Sequence, residues 1–368
     1  MTKRRDGSAP SAFRNRLKKL REAMAAAQLD AFATFNLTNV RYLTGFSGSN
    51  GAVIVTGKDA VLYTDFRYAS QVAEQVTSMR SEILNGPLAE EIGKQTKKSR
   101  AKRAGFEDKH LTVNLMAQLK KASSGVRWVP CGLVEGLRMI KDAGETALIR
   151  RNFGLLEKIF SKIDRVLSPG KEESAVAAEL EYALKLSGGE KPAFDFIVAS
   201  GKRSALPHGV ASRKKILKGD VVILDWGWVL DGYHSDNTRT LFMGRPKPKM
   251  REIFEVTLEA NMRAIARTAP GVPLRYIDAA ARDFITKQGY GKYFGHGTGH
   301  GVGLDIHEAP ALNARSQEVA REGMVFTIEP GIYLPGVGGV RIEDVVEVTS
   351  KGCDLISAGL PKTMRVIG

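Results

Sequence analysis

Val221-Val-Ile-Leu-Asp-Trp-Gly-Trp-Val-Leu-Asp-Gly-Tyr-His-Ser-Asp-Asn-Thr-Arg-Thr240 decides how the second half of this chain folds. Its first four residues form an apolar, β-branched run that reads as a buried strand. Asp231-Gly232 is a strong two-residue hairpin signal, because both central residues of a type I′ turn take positive φ. With those two residues as the loop, Leu230 faces Tyr233 and Asp225 faces Thr238. Asp236, two residues before Thr238, then shares the face of Asp225 as a diagonal neighbour, with Cβ atoms roughly 7–8 Å apart. Two carboxylates on one sheet face repel unless they are solvated, paired with a cation such as Arg239, or gripping an ion between them. Trp226 and Trp228 alternate with Asp225, so they are expected to turn away from it and pack against helices.

Two further stretches carry chemistry. Phe294-Gly-His-Gly-Thr-Gly-His-Gly-Val-Gly-Leu-Asp-Ile-His-Glu308 holds three of the six histidines, His296, His300 and His307. The intervening glycines rule against a zinc-binding helix. In extended backbone, positions four apart share a face instead. No Gly-Lys-Ser/Thr follows, so this is not a phosphate loop. Phe326-Thr-Ile-Glu-Pro-Gly331 and Val340-Arg-Ile-Glu-Asp344 place Glu329 and Glu343 in apolar, strand-like surroundings. Buried glutamates are rare unless paired or metal-bound. Two Asp, two Glu and one His suit a hard or borderline ion such as Mn²⁺, with Co²⁺, Fe²⁺ or Zn²⁺ as alternatives. Four carboxylates exceed what one divalent ion needs, which points to a pair of ions about 3.5–4 Å apart.

Around these motifs, 368 residues with 43% hydrophobic and 26% charged content fit a soluble globular chain of two domains. The apolar run from Val221 to Leu230 is half the roughly twenty residues a spanning helix needs, and it contains Asp225. No apolar segment follows the basic N-terminus as a secretory signal requires, so the expected compartment is the cytoplasm. Two cysteines, Cys131 and Cys353, make no disulfide framework and are expected as free buried thiols. The formal charge is +15. Part of the excess lies in two runs, Arg14 to Arg21 and Lys94 to Arg103. Neither is interleaved with aromatic residues, so both read as solvated faces or loops rather than as a nucleic-acid platform. Alternating short strands and helices, from a first helix carrying Leu17, Leu20 and Met24, indicate an α/β domain over residues 1–134. A helix is expected from Phe66 to Val76. Residues 135–368 form the second domain, in which helices followed by hairpin strands occur twice, as in two related halves.

The order of these motifs resembles the pita-bread metallopeptidases, the group of methionine aminopeptidase, aminopeptidase P and prolidase, over residues 135–360. Asn39-Val-Arg-Tyr-Leu-Thr-Gly-Phe-Ser-Gly-Ser-Asn-Gly51 and Tyr63-Thr-Asp-Phe-Arg-Tyr68 look like the N-terminal domain of aminopeptidase P, prolidase and creatinase. Creatinase lacks the metal ligands that are intact here. The resemblance implies an α/β N-terminal domain, an α+β pita-bread catalytic domain with pseudo-two-fold halves, and two divalent metal ions. Asp225 would bind one ion, Asp236 and Glu343 both, and His300 and Glu329 the second. Glu329 would also be general base and acid. His307 would polarise the scissile carbonyl, and His208 in Leu206-Pro-His-Gly209 would assist at the scissile nitrogen. His296, Tyr333 and Arg341 would shape the proline-side pocket. The implied activity is release of the N-terminal residue from peptides with proline second, by a homodimer. The alternative is an Xaa-Pro dipeptidase, and a more remote one is a non-catalytic binding protein on the same fold. His234 and His110 are read as structural or surface residues, while Tyr42 and Arg67 are left unplaced.

Overall fold

The computed structural model describes residues 10–368, and the chain divides into two compact units after Arg138. The division falls four residues beyond the sequence expectation. The reason is the helix Leu133–Arg138, whose polar side chains are tied into the first unit: Asn39 Nδ2 donates to Glu135 Oε1 at 2.7 Å, and Arg138 Nη1 donates to Asn39 Oδ1 at 2.9 Å.

The first unit is built on a six-stranded sheet. Its spatial order is Arg80–Leu84, Ala60–Asp65, Ala52–Thr56, Ala31–Thr34, Arg103–Phe106 and Arg127–Pro130. Helices Leu88–Lys98 and Val113–Ala122 supply Ala89, Ile92 and Leu119 to a core with Ile54, Val61 and Trp128. Leu17, Leu20 and Met24 are buried along the helix Pro10–Ala26, as their spacing predicts. Arg16 of the first basic run is buried too, which corrects its reading as a solvated residue: its guanidinium lies 4.4 Å from the Tyr42 ring and donates to the Tyr42 carbonyl. Lys97, Lys98, Arg100 and Lys102 of the second run are exposed. The expected helix at Phe66 begins as a 3-10 turn, Phe66–Tyr68, capped by Asp65, and becomes α-helical over Ala69–Gln75. Cys131 and Cys353 are free thiols and half-buried rather than fully buried.

One buried carboxyl in this unit has a measurable consequence. Glu107 follows the strand Arg103–Phe106, accepts hydrogen bonds from Thr34 and Asn39, and is 1% exposed. Burial pushes its carboxyl up to about 7 from an ordinary value of 4.5, against the pull of those donors. A carboxyl whose folded pKa is raised contributes stability that is intact below its ordinary pKa and lost as pH rises through the folded one. The unfolding midpoint of the full chain should therefore carry a falling component between about pH 4.5 and pH 7, on the order of 3 kcal/mol. Glu107→Gln should flatten that component, and an unchanged slope would contradict the assignment.

The second unit opens with the helix Ala143–Phe160. Asp142 caps it in a reciprocal box with Glu145, which fixes the helix start. That helix and Glu173–Leu186 precede the strands Ile197–Ser200, Val221–Trp226 and Asn237–Met243, which form a four-stranded sheet with Arg365–Ile367. Helices Pro248–Arg267 and Leu274–Lys287 then precede a five-stranded sheet, ordered Glu308–Leu312, Gly299–Gly301, Val325–Ile328, Asp344–Val348 and Cys353–Leu355. The order of elements is the same in both halves. Trp226 and Trp228 are buried against Phe196, and Trp226 also meets Phe160 of the first helix. Among the described residues no helix is long and apolar enough to cross a membrane.

Candidate metal centre

The hairpin register follows the turn. Asp231 and Gly232 take φ of 49° and 82°, Leu230 pairs with Tyr233, and Asp225 pairs with Thr238. Gly227 is required at the crossing, because a Cβ there would lie 2.0 Å from the Ser235 carbonyl oxygen. Asp225 and Asp236 thus face one side of the sheet, and both are buried.

The glycines around His300 have a comparable cause. A Cβ on Gly299 would lie 1.9 Å from the Thr327 carbonyl oxygen, and one on Gly301 2.2 Å from that of Ala309. Only bare backbone lets this short strand sit between its two neighbours. Glu329 and Glu343 lie where the chain passes between two sheets. Ile328–Asp344 is the last pair of the five-stranded sheet, and Gly331–Arg341 is the first pair of the hairpin Gly331–Leu334/Gly338–Arg341. The strand-like stretch that begins at Val340 is broken at Ile342-Glu343 for that reason.

These elements converge on one cavity of about 520 Å³. Its lining includes Asp225, Asp236, His300, Glu329 and Glu343, with His208, His296, His307 and Arg341. One ligand atom from each of Asp236, His300 and Glu343 lies within 4.8 Å of the others. His300 Nε2 is 3.4 Å from Glu329 Oε1 and 3.5 Å from Asp236 Oδ2. His300 Nδ1 is 3.0 Å from the Gly301 carbonyl, which can only accept, so Nδ1 carries the proton and Nε2 offers a lone pair. Burial lowers the pKa of this ring, which keeps it neutral. A lone pair thus faces two carboxylates with no donor between them.

The carboxylates show the same deficit. Asp225 Oδ1 and Glu343 Oε1 are buried without a hydrogen-bond partner among the described residues. Burial, then the charges of Glu343, Asp225 and Glu329, push Asp236 well above the usual carboxylate range. Burial, then Glu329 and Asp225, does the same to Glu343, and burial raises Glu329. Acceptors gathered this closely suit a cation. The donor set therefore fits divalent metal, and Asp225, Asp236, His300, Glu329 and Glu343 are the residues that would hold it.

Outer contacts orient these groups. Arg341, buried, donates from Nη2 to Asp225 Oδ2 at 2.6 Å and from Nη1 to the Tyr333 hydroxyl at 2.9 Å. Its Nε donates at 3.0 Å to Thr238 Oγ1, which donates at 2.9 Å to Glu343 Oε2. Burial works against the Arg341 charge, but Tyr333, Asp225 and Glu329 outweigh it and its pKa rises. The Tyr333 hydroxyl lies 3.0 Å from His296 Nε2, while His296 Nδ1 faces the Gly297 carbonyl. Tyr333 therefore donates to His296, and it reaches the cavity through that ring rather than lining it. Thr327 Oγ1 donates to Glu329 Oε1 at 3.2 Å. His307 is exposed, with its ring edge-on to His300 at 4.3 Å; burial, then His300, lowers its pKa. His208 is exposed on the cavity wall.

Arg239 is not the partner of either aspartate. Thr238 faces Asp225, so Arg239 turns to the other side of the sheet and pairs with Asp344 at 2.9 Å. Sequence reading also missed the buried pair Lys141–Glu308, at 2.6 Å, which fixes the residue next to His307. His234 takes a structural place, its ring 3.2 Å from the Gly303 carbonyl. His110 and Arg67 are exposed in the first unit, and Arg67 is paired with Asp65. A second cavity, about 500 Å³ between the helices Pro248–Arg267 and Leu274–Lys287, holds no converging ligands.

Comparison with known proteins agrees with this chemistry. The model of metallopeptidase family M24 matches residues 147–350, and that of the creatinase/prolidase N-terminal domain matches residues 16–140. The chain is 40% identical to an Xaa-Pro dipeptidase of Pyrococcus horikoshii, over 95% of this chain and 97% of that one. Its fold is similar to the solved Xaa-Pro dipeptidase from Bacillus anthracis, with a TM-score of 0.93 and 42% identity over 96% of this chain and 100% of that one. It is also similar to an X-Pro aminopeptidase from Thermotoga maritima, with a TM-score of 0.86 and 34% identity over 94% of this chain and 100% of that one.

Proposed function

The chain belongs to metallopeptidase family M24, and on that premise we propose that it hydrolyses the bond between a first residue and a following proline, acting first on Xaa-Pro dipeptides. The observation that carries the metallopeptidase reading is the donor-free meeting of His300 Nε2 with the carboxylates of Asp236, Glu329 and Glu343. The names of its relatives support the dipeptide over the longer peptide, the reverse of the order the motifs alone suggest. We assign two divalent ions to the site, with Mn²⁺ the first to test. When bound, such ions polarise the scissile carbonyl and make water nucleophilic near neutral pH.

The chain's own groups do the rest. A bond to proline has no N–H and a fixed φ, so recognition cannot depend on that donor. Glu329 is placed to take a proton from the attacking water and return it to the proline nitrogen. His307, beside His300, is placed to donate to the developing oxyanion. His208, also on the cavity wall, is assigned to assist at the leaving nitrogen. Neutral His296, fixed by Tyr333, presents an aromatic face to the proline ring.

One observation favours the aminopeptidase as a second reading. Among the described residues Arg341 is the only Arg or Lys lining the cavity, and it is committed to Asp225 and Tyr333. Among the described residues no free cation of that kind lines the cavity for the carboxylate of a dipeptide. The deciding experiment strips metal, restores Mn²⁺ or Co²⁺, and compares Ala-Pro with Ala-Pro-Ala. Cleavage of the dipeptide alone is the expected result, and efficient release of alanine from the tripeptide would select the aminopeptidase. Inertness toward both would overturn the peptidase reading.

A further inference from the structure

His208 lines the metal cavity, yet its ring takes no hydrogen bond from the described residues. Its place is therefore set by the backbone that carries it. That backbone is the irregular segment 201–211, which leaves the strand Ile197–Ser200 through a 3-10 turn, Gly201–Ala205. The ties that close this segment converge on one side chain. Glu173, the first residue of the helix Glu173–Leu186, is 0% exposed. Ser200 donates to its Oε1 from the backbone N and from Oγ, both at 2.8 Å. Arg203 Nε donates to Oε2 at 3.0 Å, and Ser212 donates to Oε2 from N at 3.2 Å and from Oγ at 2.7 Å. Both ends of the segment thus close on one carboxylate. Arg203 then spans the loop, its Nη2 donating to the Val210 carbonyl at 2.7 Å. From the metal side, Arg341 Nη1 donates at 3.0 Å to the carbonyl of Pro207, the residue before His208.

A carboxylate has about four lone-pair sites, and these donors, one of them a guanidinium, fill them. Hydrogen bonds to an ionised acceptor are roughly twice as strong as neutral ones, so one buried charge holds both ends of the loop. Glutamine at this position keeps the shape but turns one acceptor oxygen into a donor. Its amide N–H would face either Ser200 or the Arg203 and Ser212 pair, which also donate, so one end of the loop must come free. We propose that Glu173 is a positioning residue of the hydrolysis: it closes the loop 201–211 so that His208 stands at the leaving nitrogen. The inference rests on the peptidase reading above and on the place given there to His208.

The test is a double-mutant cycle, run with metal restored on whichever of Ala-Pro and Ala-Pro-Ala the wild type cleaves better. Glu173→Gln should lower kcat about tenfold and leave KM within about twofold, because a catalytic group misplaced by about 1 Å can cost up to roughly a hundredfold. His208→Ala should lower kcat about a hundredfold. Adding Glu173→Gln to His208→Ala should then cost less than about twofold more, since the group being positioned is already gone. Ser212→Ala is the milder variant, and it carries the same cycle if Glu173→Gln does not fold; it should lower kcat about threefold, again only while His208 is present. Glu173→Asp, which keeps the charge, should recover part of the loss. In metal-free protein, amide hydrogen exchange over 201–211 should quicken about tenfold in Glu173→Gln, while that of the strand Val221–Trp226 holds. Losses that are equal with and without His208, unchanged exchange in the loop, wild-type kcat in both clamp variants, or a His208→Ala as active as wild type would each overturn the inference and leave the peptidase reading intact. A wild type inert toward both peptides overturns both.

Discussion

Asp236→Ala should abolish hydrolysis of Ala-Pro at every metal concentration, while the chain still unfolds cooperatively. Asp236 contributes one of three ligand atoms that lie within 4.8 Å of one another, and no neighbouring carboxylate can replace it without leaving its own place. The loss should exceed the roughly 10–100-fold that removal of an outer-shell partner costs. The stability change has an opposite sign that makes the prediction sharp. In metal-free protein the Asp236 carboxyl is held well above its ordinary 3.8 by burial and by Glu343, Asp225 and Glu329. Its favourable contribution is complete below that ordinary value and disappears as pH rises through the raised one. Metal-free wild type therefore weakens as pH climbs above about 4, and Asp236→Ala loses that component. With Mn²⁺ the order reverses: wild type gains about 2.7 kcal/mol at a hundredfold excess over Kd, and the variant gains much less. Melting curves in chelator and in Mn²⁺ check both halves. Retained activity, or a metal-induced shift as large as wild type's, would remove Asp236 from the site.

Particular residues show how much of this was legible in the sequence. The Asp225–Asp236 relation was legible because a two-residue turn fixes register, and the same register holds on both sides of the break between the two ladders, from Leu230–Tyr233 to Asp225–Thr238. The same alternation argument would have excluded Arg239 as a partner, had it been carried one residue further. The true partner, Arg341, stands 116 positions from Asp225, and no local pattern reaches that far. Glu329 and Glu343 were legible as anomalous buried carboxylates. Their mutual placement was not, because each occupies a break between two ladders where strand periodicity gives no register. The glycines around His300 ruled out a helix in the sequence, and the structure shows that they serve close backbone approach across the sheet.

Arg341→Met should separate stability from catalysis. The guanidinium donates to Asp225, Thr238, Tyr333 and the Pro207 carbonyl, and it is 4% exposed. Methionine keeps much of the volume and removes every donor. Asp225 is then a buried carboxylate with neither oxygen paired, and stranding one partner of a buried ion pair costs about 3–5 kcal/mol. In a unit of this size that lowers the unfolding midpoint by on the order of 10 °C. Divalent metal should recover part of the deficit, because a cation near Asp225 offsets its charge whatever its exact rotamer. Activity should not recover with it. Arg341 also fixes Thr238, which orients Glu343, and Tyr333, which orients His296, and a catalytic constellation tolerates only about 0.5 Å of drift. Hydrolysis should therefore remain roughly 10–100-fold down at saturating Mn²⁺. Arg341→Lys should fall between, since one ammonium cannot span four acceptors in the plane the guanidinium serves. A metal-free Arg341→Met as stable as wild type would show that the Asp225 pair carries no such energy, and full activity on adding metal would show that its orientation does not matter.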